Sequence, residues 1–374
     1  MIKVVARDGI EVLLFGTLHE PTRYPNPRVK IFSNRPGLAG MAQGLGRILW
    51  LLMARYSHYR KLKQHLGKGP FSDSASFSKW QKVVPVVLHL PDVFHVQWAK
   101  AAGDWIFLRD LFGVKMVLSL RGAHINYSPL ANSALARQYR EVFPKYDAFH
   151  AVSKAIAREA ERYGAAAEKI SVIYSGLPEP ANLPERSSRT GVIRLLAVGR
   201  IHWKKGYHVL LDALASLMAE GNQFRLTLIA RGEMTEELAY QIHQLGLSPL
   251  VHHIPGLSHR EVLEQMRQHD LLVLPSLEEG IANVALEAMS VGLPVVSTDC
   301  GGMGEVIEDG QNGWLVPVRD AAGLKRAIER ASTLPAEQLD AVRKEAHKTI
   351  QLRFSDRLAM AGFSELYRKV IECA

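Results

Sequence analysis

Leu271-Leu-Val-Leu-Pro-Ser-Leu-Glu-Glu-Gly-Ile-Ala-Asn-Val-Ala-Leu-Glu-Ala-Met-Ser-Val-Gly-Leu-Pro-Val-Val296 carries, in 26 residues, the signs of a strand, a loop, a helix and a second strand. Four apolar residues stop at Pro275, as a buried strand does. A loop with Glu279 and Gly280 follows, and a helix opens near Asn283 with Glu287 in its early turns. Gly292 and Pro294 end that helix. Gly280 lets backbone amides approach a ligand, and a helix start, with Asn283 as its cap, offers N–H groups with a partial positive charge. A diphosphate suits that site. Glu279 and Glu287, with seven residues between them, would flank it as acceptors for hydroxyl groups.

Outward from this unit the same alternation continues. Strands are predicted at 193–198, 225–230, 251–254, 271–274 and 295–297, with helices at 207–220, 236–245, 260–268 and 283–291. The first half reads alike, with strands at 83–88, 116–120, 150–153 and 170–174 and helices at 104–112, 133–142 and 154–163. A Pro/Ser/Arg-rich stretch at 178–190 is the expected linker. The fold class is therefore α/β: two Rossmann-like, doubly wound domains, at 1–180 and 190–355, facing a cleft. An amphipathic helix within 356–374 is expected to return to the first domain.

Two carboxylates beside a phosphate need cations. Gly199-Arg200-Ile-His-Trp-Lys-Lys205-Gly206 supplies them, Arg200 directly after a strand and Lys205 before a glycine and the next helix. Charge-assisted contacts of this kind are worth roughly 1.5–3 kcal/mol each. They would stabilise negative charge that develops on a bound diphosphate.

At these residues the chain resembles the retaining glycosyltransferases of family four, glycosyl transferases group 1, which have the GT-B fold. Glu279…Glu287 matches their E-x7-E motif, and Gly199-Arg200…Lys205-Gly206 their G-R-x(4)-K-G motif. Pro275-Ser276 and Gly301-Gly302…Glu305-Val306-Ile307…Gly310…Asn312-Gly313…Val316-Pro317 also look like the family's. The resemblance implies a retaining, hexosyltransferase-type enzyme that uses a UDP-, GDP- or ADP-linked sugar and no bound metal. Arg200, Lys205 and Glu279 would act on the reacting centre. Donor contacts would come from Glu287, Gly280, Ile281, Ala282, Asn283, Gly199, Arg231, Gly232 and Arg121. Glu287 would take the ribose and Glu279 the hydroxyls of the transferred sugar. The acceptor would be a glycan or a polyprenyl-linked glycan in surface polysaccharide synthesis.

The N-terminal half departs from the family pattern. Asp92-Val-Phe-His95-Val-Gln97 resembles D-x-x-H-x-H, with Gln97 at the second histidine. Arg121-Gly122-Ala-His124 sits where the family has H-G-x-D. Arg231-Gly232 follows a strand where a glycine-rich turn is usual, and Arg231 departs from it. Residues 5–15 look like the end of the family's first helix and its second strand, so the first domain is expected to lack its first strand. These departures leave a second reading open: a catalytically silent nucleotide-sugar-binding homologue or partner subunit.

Composition bounds the rest. The chain has 374 residues and a net charge of +9, of which residues 1–180 contribute 25 basic against 13 acidic side chains. Ten basic and no acidic residues lie between Pro21 and Ser72. Within that block, residues 45–63 read as one helix with an apolar and a basic face. Residues 41–68 are expected to meet an anionic membrane surface as a peripheral contact. No nucleic-acid-binding module accompanies the charge. The apolar run at 48–54 is short of the ~20 residues that span a bilayer. Two cysteines, Cys300 and Cys373, lack metal-ligand spacing, so a reducing cytoplasm is the expected setting. Trp203 and Trp314 are expected to be packing residues.

Overall fold

The computed structural model describes residues 10–17, 26–178, 183 and 191–372, and the linker expected at 178–190 falls almost wholly outside them. All described sheets are parallel, and they build two Rossmann-like α/β domains.

In the C-terminal domain six strands form one sheet: β7 (Ile193–Arg200), β8 (Phe224–Arg231), β9 (Val251–Ile254), β10 (Leu271–Leu274), β11 (Val295–Thr298) and β12 (Trp314–Val316). Their spatial order is β12-β11-β10-β7-β8-β9. The chain thus winds outward from β7 in one direction and restarts beside it with β10 in the other. That reversal opens a crevice at the strand C-termini, where open α/β sheets hold ligands.

The N-terminal domain has two pieces. β1 (Val12–Thr17) pairs with β2 (Val29–Asn34), while β3 (Val93–Val96), β4 (Lys115–Leu120), β5 (Ala148–Ala151) and β6 (Ile170–Val172) pair in sequence order. Among the described residues no ladder joins β1 to β3. Side chains bridge them, with the Phe15 and Phe94 rings 6.3 Å apart and Ile10, Val12 and Val93 packed on the same buried cluster.

Helix α1 (Gly37–Ala54) follows β2, then α2 (Tyr56–Leu66) and α3 (Ser74–His89). The single helix expected at 45–63 is therefore two, parted at Arg55 (φ −141, ψ 56). A continuous helix would carry Arg55 onto the buried stripe of Ile48, Leu51 and Leu62; the break turns the charge to solvent, avoiding a large desolvation cost. The run 83–88, read as a strand, lies inside α3. An all-apolar run has no period with which to tell strand from helix. Asp73 starts the helix by accepting from the Ser76 amide at 2.7 Å, and Trp80, Val83, Val84, Val86 and Val87 bury on more than one side. The helix expected at 104–112 is also broken, into Ala102–Trp105 and Phe107–Phe112.

α4 (Ser133–Val142) and α5 (Lys154–Glu161) complete the first domain's main helices. The second domain adds α6 (Tyr207–Ala219), α7 (Glu236–Gln244), α8 (His259–Gln268), α9 (Asn283–Ser290), α10 (Ala321–Thr333) and α11 (Ala336–Arg353). The last helix, α12 (Asp356–Glu372), crosses back and buries Phe363, Leu366 and Val370 against Val117, Ala148 and Ile173. The outgoing and returning crossings are tied together: Leu177 N donates to Phe354 O and Asp356 N to Leu177 O, both at 2.8 Å.

Candidate active site

The crevice beside β7 and β10 is built by two loops that glycine lets touch. Gly206 has φ +64, and a β-carbon there would lie 2.0 Å from the Pro275 carbonyl oxygen. That contact brings the loop after β7 against the loop after β10, where Leu277 N donates to Lys204 O at 2.7 Å. Gly301, at φ +54, packs as closely on the Glu279 carbonyl, since a β-carbon there would stand 1.7 Å from it. The Glu279–Gly280 turn is thereby held from behind.

Glu279 is 8% exposed, and its carboxylate is the focus of the site. Lys205 Nζ lies 2.5 Å from Oε1, Lys204 Nζ lies 3.7 Å from Oε2, and Ser276 Oγ donates to Oε1 at 3.3 Å. A buried acid is thus offset by two cations. The Lys205 stem and the Tyr207 hydroxyl both lie over Gly199, the penultimate residue of β7, where a β-carbon would meet them. The Tyr207 hydroxyl is buried without a partner; burial first, then the Glu279 charge, hold its pKa above the usual phenol range.

Arg200 ends β7 exposed and pairs in register with Arg231 at the end of β8. In-register residues on adjacent strands point to the same side. Neither arginine has an ion-pair partner among the described residues. His202 between them and the lysines sits below its ordinary pKa, through burial first and then Arg200, Lys204 and Lys205. Gly232 (φ +106) turns the chain directly after Arg231.

Beyond Gly280 the chain enters α9. Ala282, not Asn283, holds the cap position; Asn283 is the first helical residue, and no side chain caps the helix. Ala282 N is taken by the Met303 sulfur at 3.4 Å, and the Ile281 side chain lies over Gly302. Glu287, one turn on, is 18% exposed in its side chain and 3.6 Å from His259 Nδ1. Burial raises its pKa, against the opposing pull of His259.

The N-terminal domain closes on this loop. A β-carbon on Gly280 would lie 3.0 Å from Val152 and 3.6 Å from the Gly122 amide. Asn126 Nδ2 donates to Glu278, and the Tyr127 and Trp203 rings meet at 5.4 Å. Trp203, expected in packing, is 55% exposed and stands between the domains, whereas Trp314 is buried. Arg121 and Asn283 share an interdomain cavity of about 230 Å³ with His150, Tyr174, Ser175 and Asp356. Arg200, Lys205, Glu279 and Glu287 are not among its lining residues. Arg121 Nη2 donates to Gln97 at 3.2 Å, its Cζ lies 5.6 Å from the centroid of the Trp98 ring, and its buried Nε has no partner.

The profile of glycosyl transferases group 1 matches residues 180–349, and that of the glycosyl transferase 4-like domain matches residues 2–176. WcaL of Salmonella typhimurium, a putative colanic acid biosynthesis glycosyltransferase, is 31% identical over 292 residues, covering 75% of this chain and 71% of that one. The chain is a group 1 glycosyltransferase, of the retaining family four. The amylovoran biosynthesis glycosyltransferase AmsK of Erwinia amylovora is 29% identical over 288 residues, 75% of this chain and 70% of AmsK. Anabaena HepE, solved in complex with UDP-glucose, superposes with a TM-score of 0.66 at 22% identity, over 96% of this chain and 99% of HepE. That likeness is one of fold, the two-domain GT-B arrangement.

In this glycosyltransferase several partners escaped sequence reasoning. Lys204, which has no place in the G-R-x(4)-K-G motif, is 8% exposed and faces Glu279. Glu278 joins the domains through Asn126, and burial raises its pKa despite that bond. Glu305 accepts from Lys154 N and Ala155 N at 2.9 Å and from Tyr174 Oη at 3.0 Å, all in the opposite domain or the crossing. His95 is half-buried between Tyr367 Oη at 2.6 Å and Ser119 Oγ at 2.9 Å, and desolvation holds its pKa well below the usual value. The Cys300 thiol, pushed up to about 12 by burial, supplies no nucleophile.

Proposed function

We propose that this glycosyltransferase moves a hexose-type sugar from a nucleoside diphosphate to a growing surface polysaccharide or lipid-linked glycan, with retention at the anomeric carbon. One observation carries the reading. The loops after β7 and β10 lie side by side where the strand order reverses, and Lys205 meets Glu279 between them at 2.5 Å. WcaL and AmsK, named for colanic acid and amylovoran synthesis, support the acceptor class, and the UDP-glucose in HepE supports a UDP-linked donor. The expected setting is the cytoplasm.

In this reading Lys205 and Lys204 bind the diphosphate from one side and the paired guanidinium groups of Arg200 and Arg231 from the other. Amides of Gly280, Ile281 and Asn283 complete the cradle, the Ala282 amide being held by the Met303 sulfur. Glu287 accepts from the ribose hydroxyls, and Glu279, already oriented by Lys205 and Ser276, accepts from hydroxyls of the sugar. Gly199 and Gly232 keep the strand ends open to the diphosphate, and Arg121 approaches the sugar from the opposite domain. As the bond from the anomeric carbon to the phosphate oxygen breaks, the cations take up the charge on the departing phosphate. The acceptor oxygen bonds to the anomeric carbon on the same face and passes its proton to that phosphate.

A thermal-shift panel of UDP-, GDP- and ADP-sugars, followed by turnover with the donor that binds, tests this. Binding and sugar release that vanish in Lys205→Ala support it; a full panel without binding defeats it. Gln97 and Arg121 favour a second reading, a silent nucleotide-sugar-binding homologue or partner subunit, for which the signature is donor binding without turnover.

A further inference from the structure

The outward face of α1 is apolar from end to end. Of the fifteen large apolar side chains exposed among the described residues, seven lie between 38 and 56. Leu38, Met41, Leu45, Leu49 and Met53 recur at helical spacing and form one stripe, with Trp50 beside it; Leu38 is 83% exposed and Met53 73%. The opposite stripe, Gly40, Gly44, Ile48 and Leu51, is buried, and Gln81 of α3 donates to Gly40 O at 2.7 Å.

A helix apolar on its free side is not built for water. Arg47, the one charged residue within α1, is turned away from the stripe: its guanidinium donates to Asn34 Oδ1 at 2.9 Å and to Ser33 O at 3.3 Å. Unpaired cations bracket the stripe instead. Arg35 precedes α1, Arg55 follows it, and Arg60 and Lys63 lie on α2; all four are exposed and without ion pairs among the described residues. Apolar side chains flanked by exposed cations are what a helix lying in an anionic lipid interface requires.

We infer that α1 docks this protein on an anionic bilayer, inserting the Leu38–Met53 stripe and Trp50 among the acyl chains while Arg35, Arg55, Arg60 and Lys63 meet the headgroups. The helix lies in the interface rather than spanning. It has 18 residues with mean hydropathy 1.2, yet one flank is committed to α3, so lipid cannot surround it. This surface is independent of the donor chemistry, and its test needs no sugar nucleotide.

The experiment is flotation of the full chain with vesicles of phosphatidylcholine alone and with added phosphatidylglycerol, for wild type, Leu49→Glu/Met53→Glu and Leu352→Glu. Leu352 is an exposed apolar residue of α11, 64% accessible, and serves as the control. Wild type and Leu352→Glu should float with the anionic vesicles, and the double variant should partition on the order of tenfold less or worse. Helicity and melting temperature should be equal in all three. Anionic vesicles should shift Trp fluorescence to the blue, and Trp50→Phe should remove that shift. Undiminished flotation of the double variant overturns the inference, as does equal binding to neutral vesicles. A wild-type dimer that the double variant dissolves, with no vesicle binding, would assign the face to a second copy instead.

Discussion

Gln97 accepts a hydrogen bond from Arg121 at 3.2 Å, so two of the positions where this chain departs from its family's histidine-bearing motifs face each other. A single departure reads as decay, whereas two that make a bond form a replacement unit. Arg121 is half-buried, its Nε has no partner, and its cavity reaches Asn283 of the other domain.

Arg121→Met tests what that unit does. The substitution keeps an apolar stem against Trp98 and removes a guanidinium whose burial costs desolvation. Melting temperature should hold or rise, while sugar transfer falls roughly ten- to hundredfold, the loss of one charge-assisted contact. Unchanged turnover with a lower melting temperature would make Arg121 structural.

Lys205→Ala leaves Glu279 with the Ser276 hydroxyl and a single cation, Lys204, 3.7 Å away. In the role proposed for it, facing the leaving phosphate, loss of Lys205 should lower turnover by about 10²-fold or more. Lys204→Ala, which removes the more distant cation, should cost about tenfold. Steady-state donor turnover reads both, and a Lys205→Ala enzyme with near wild-type rate removes that lysine from the chemistry.

Much of this site was legible because its signals are local. Strand, glycine, helix and charge follow one another within 199–206 and 271–296, and the positions of β7, β10 and α9 follow from that grammar. Partners across the domains were not legible. Lys204 faces Glu279 only because Gly206 admits the Pro275 carbonyl, and Glu305 reaches the start of α5 across the interface. The strand expected at 83–88 failed because Val-Val-Pro-Val-Val is apolar throughout, and Asp73, ten residues upstream, decides the helix. Asn283 has the chemistry of a cap, but the tight approach of Gly302 to Gly280 and Ile281 sets the helix start one residue earlier.

Glu287 should couple stability to pH. Burial raises its pKa, so the native state holds a proton that the unfolded chain releases first. The stability this gives is full below the unfolded carboxyl value and is lost as pH rises through the raised native value. Glu287→Gln should therefore melt higher than wild type at neutral pH, and the gap should close as pH falls below the ordinary glutamate range. Donor affinity should drop about tenfold in the same variant, for want of an anionic acceptor. A melting difference independent of pH would rule out the carboxyl group as its source.

Glu305 offers a test of closure. Its carboxylate binds the first two amides of α5 and the Tyr174 hydroxyl, although Ser153 already caps that helix by accepting from Ile156 N at 3.1 Å. The second cap is thus supplied from the other domain, and it is charged. An anion at a helix start contributes about 0.3–1 kcal/mol, up to about 2 where partly buried. Glu305→Ala should weaken the closed arrangement by that order, giving a few-fold to about thirtyfold loss of donor affinity. Solution scattering should show a larger radius of gyration. Lys154→Ala, which spares the amide that Glu305 uses, should change neither. Because the cap acts by holding two domains together, the loss should fall on donor binding more than on turnover at saturation. Unchanged scattering with intact affinity would mean that Gly280 against Val152 and Asn126 against Glu278 hold the domains without it.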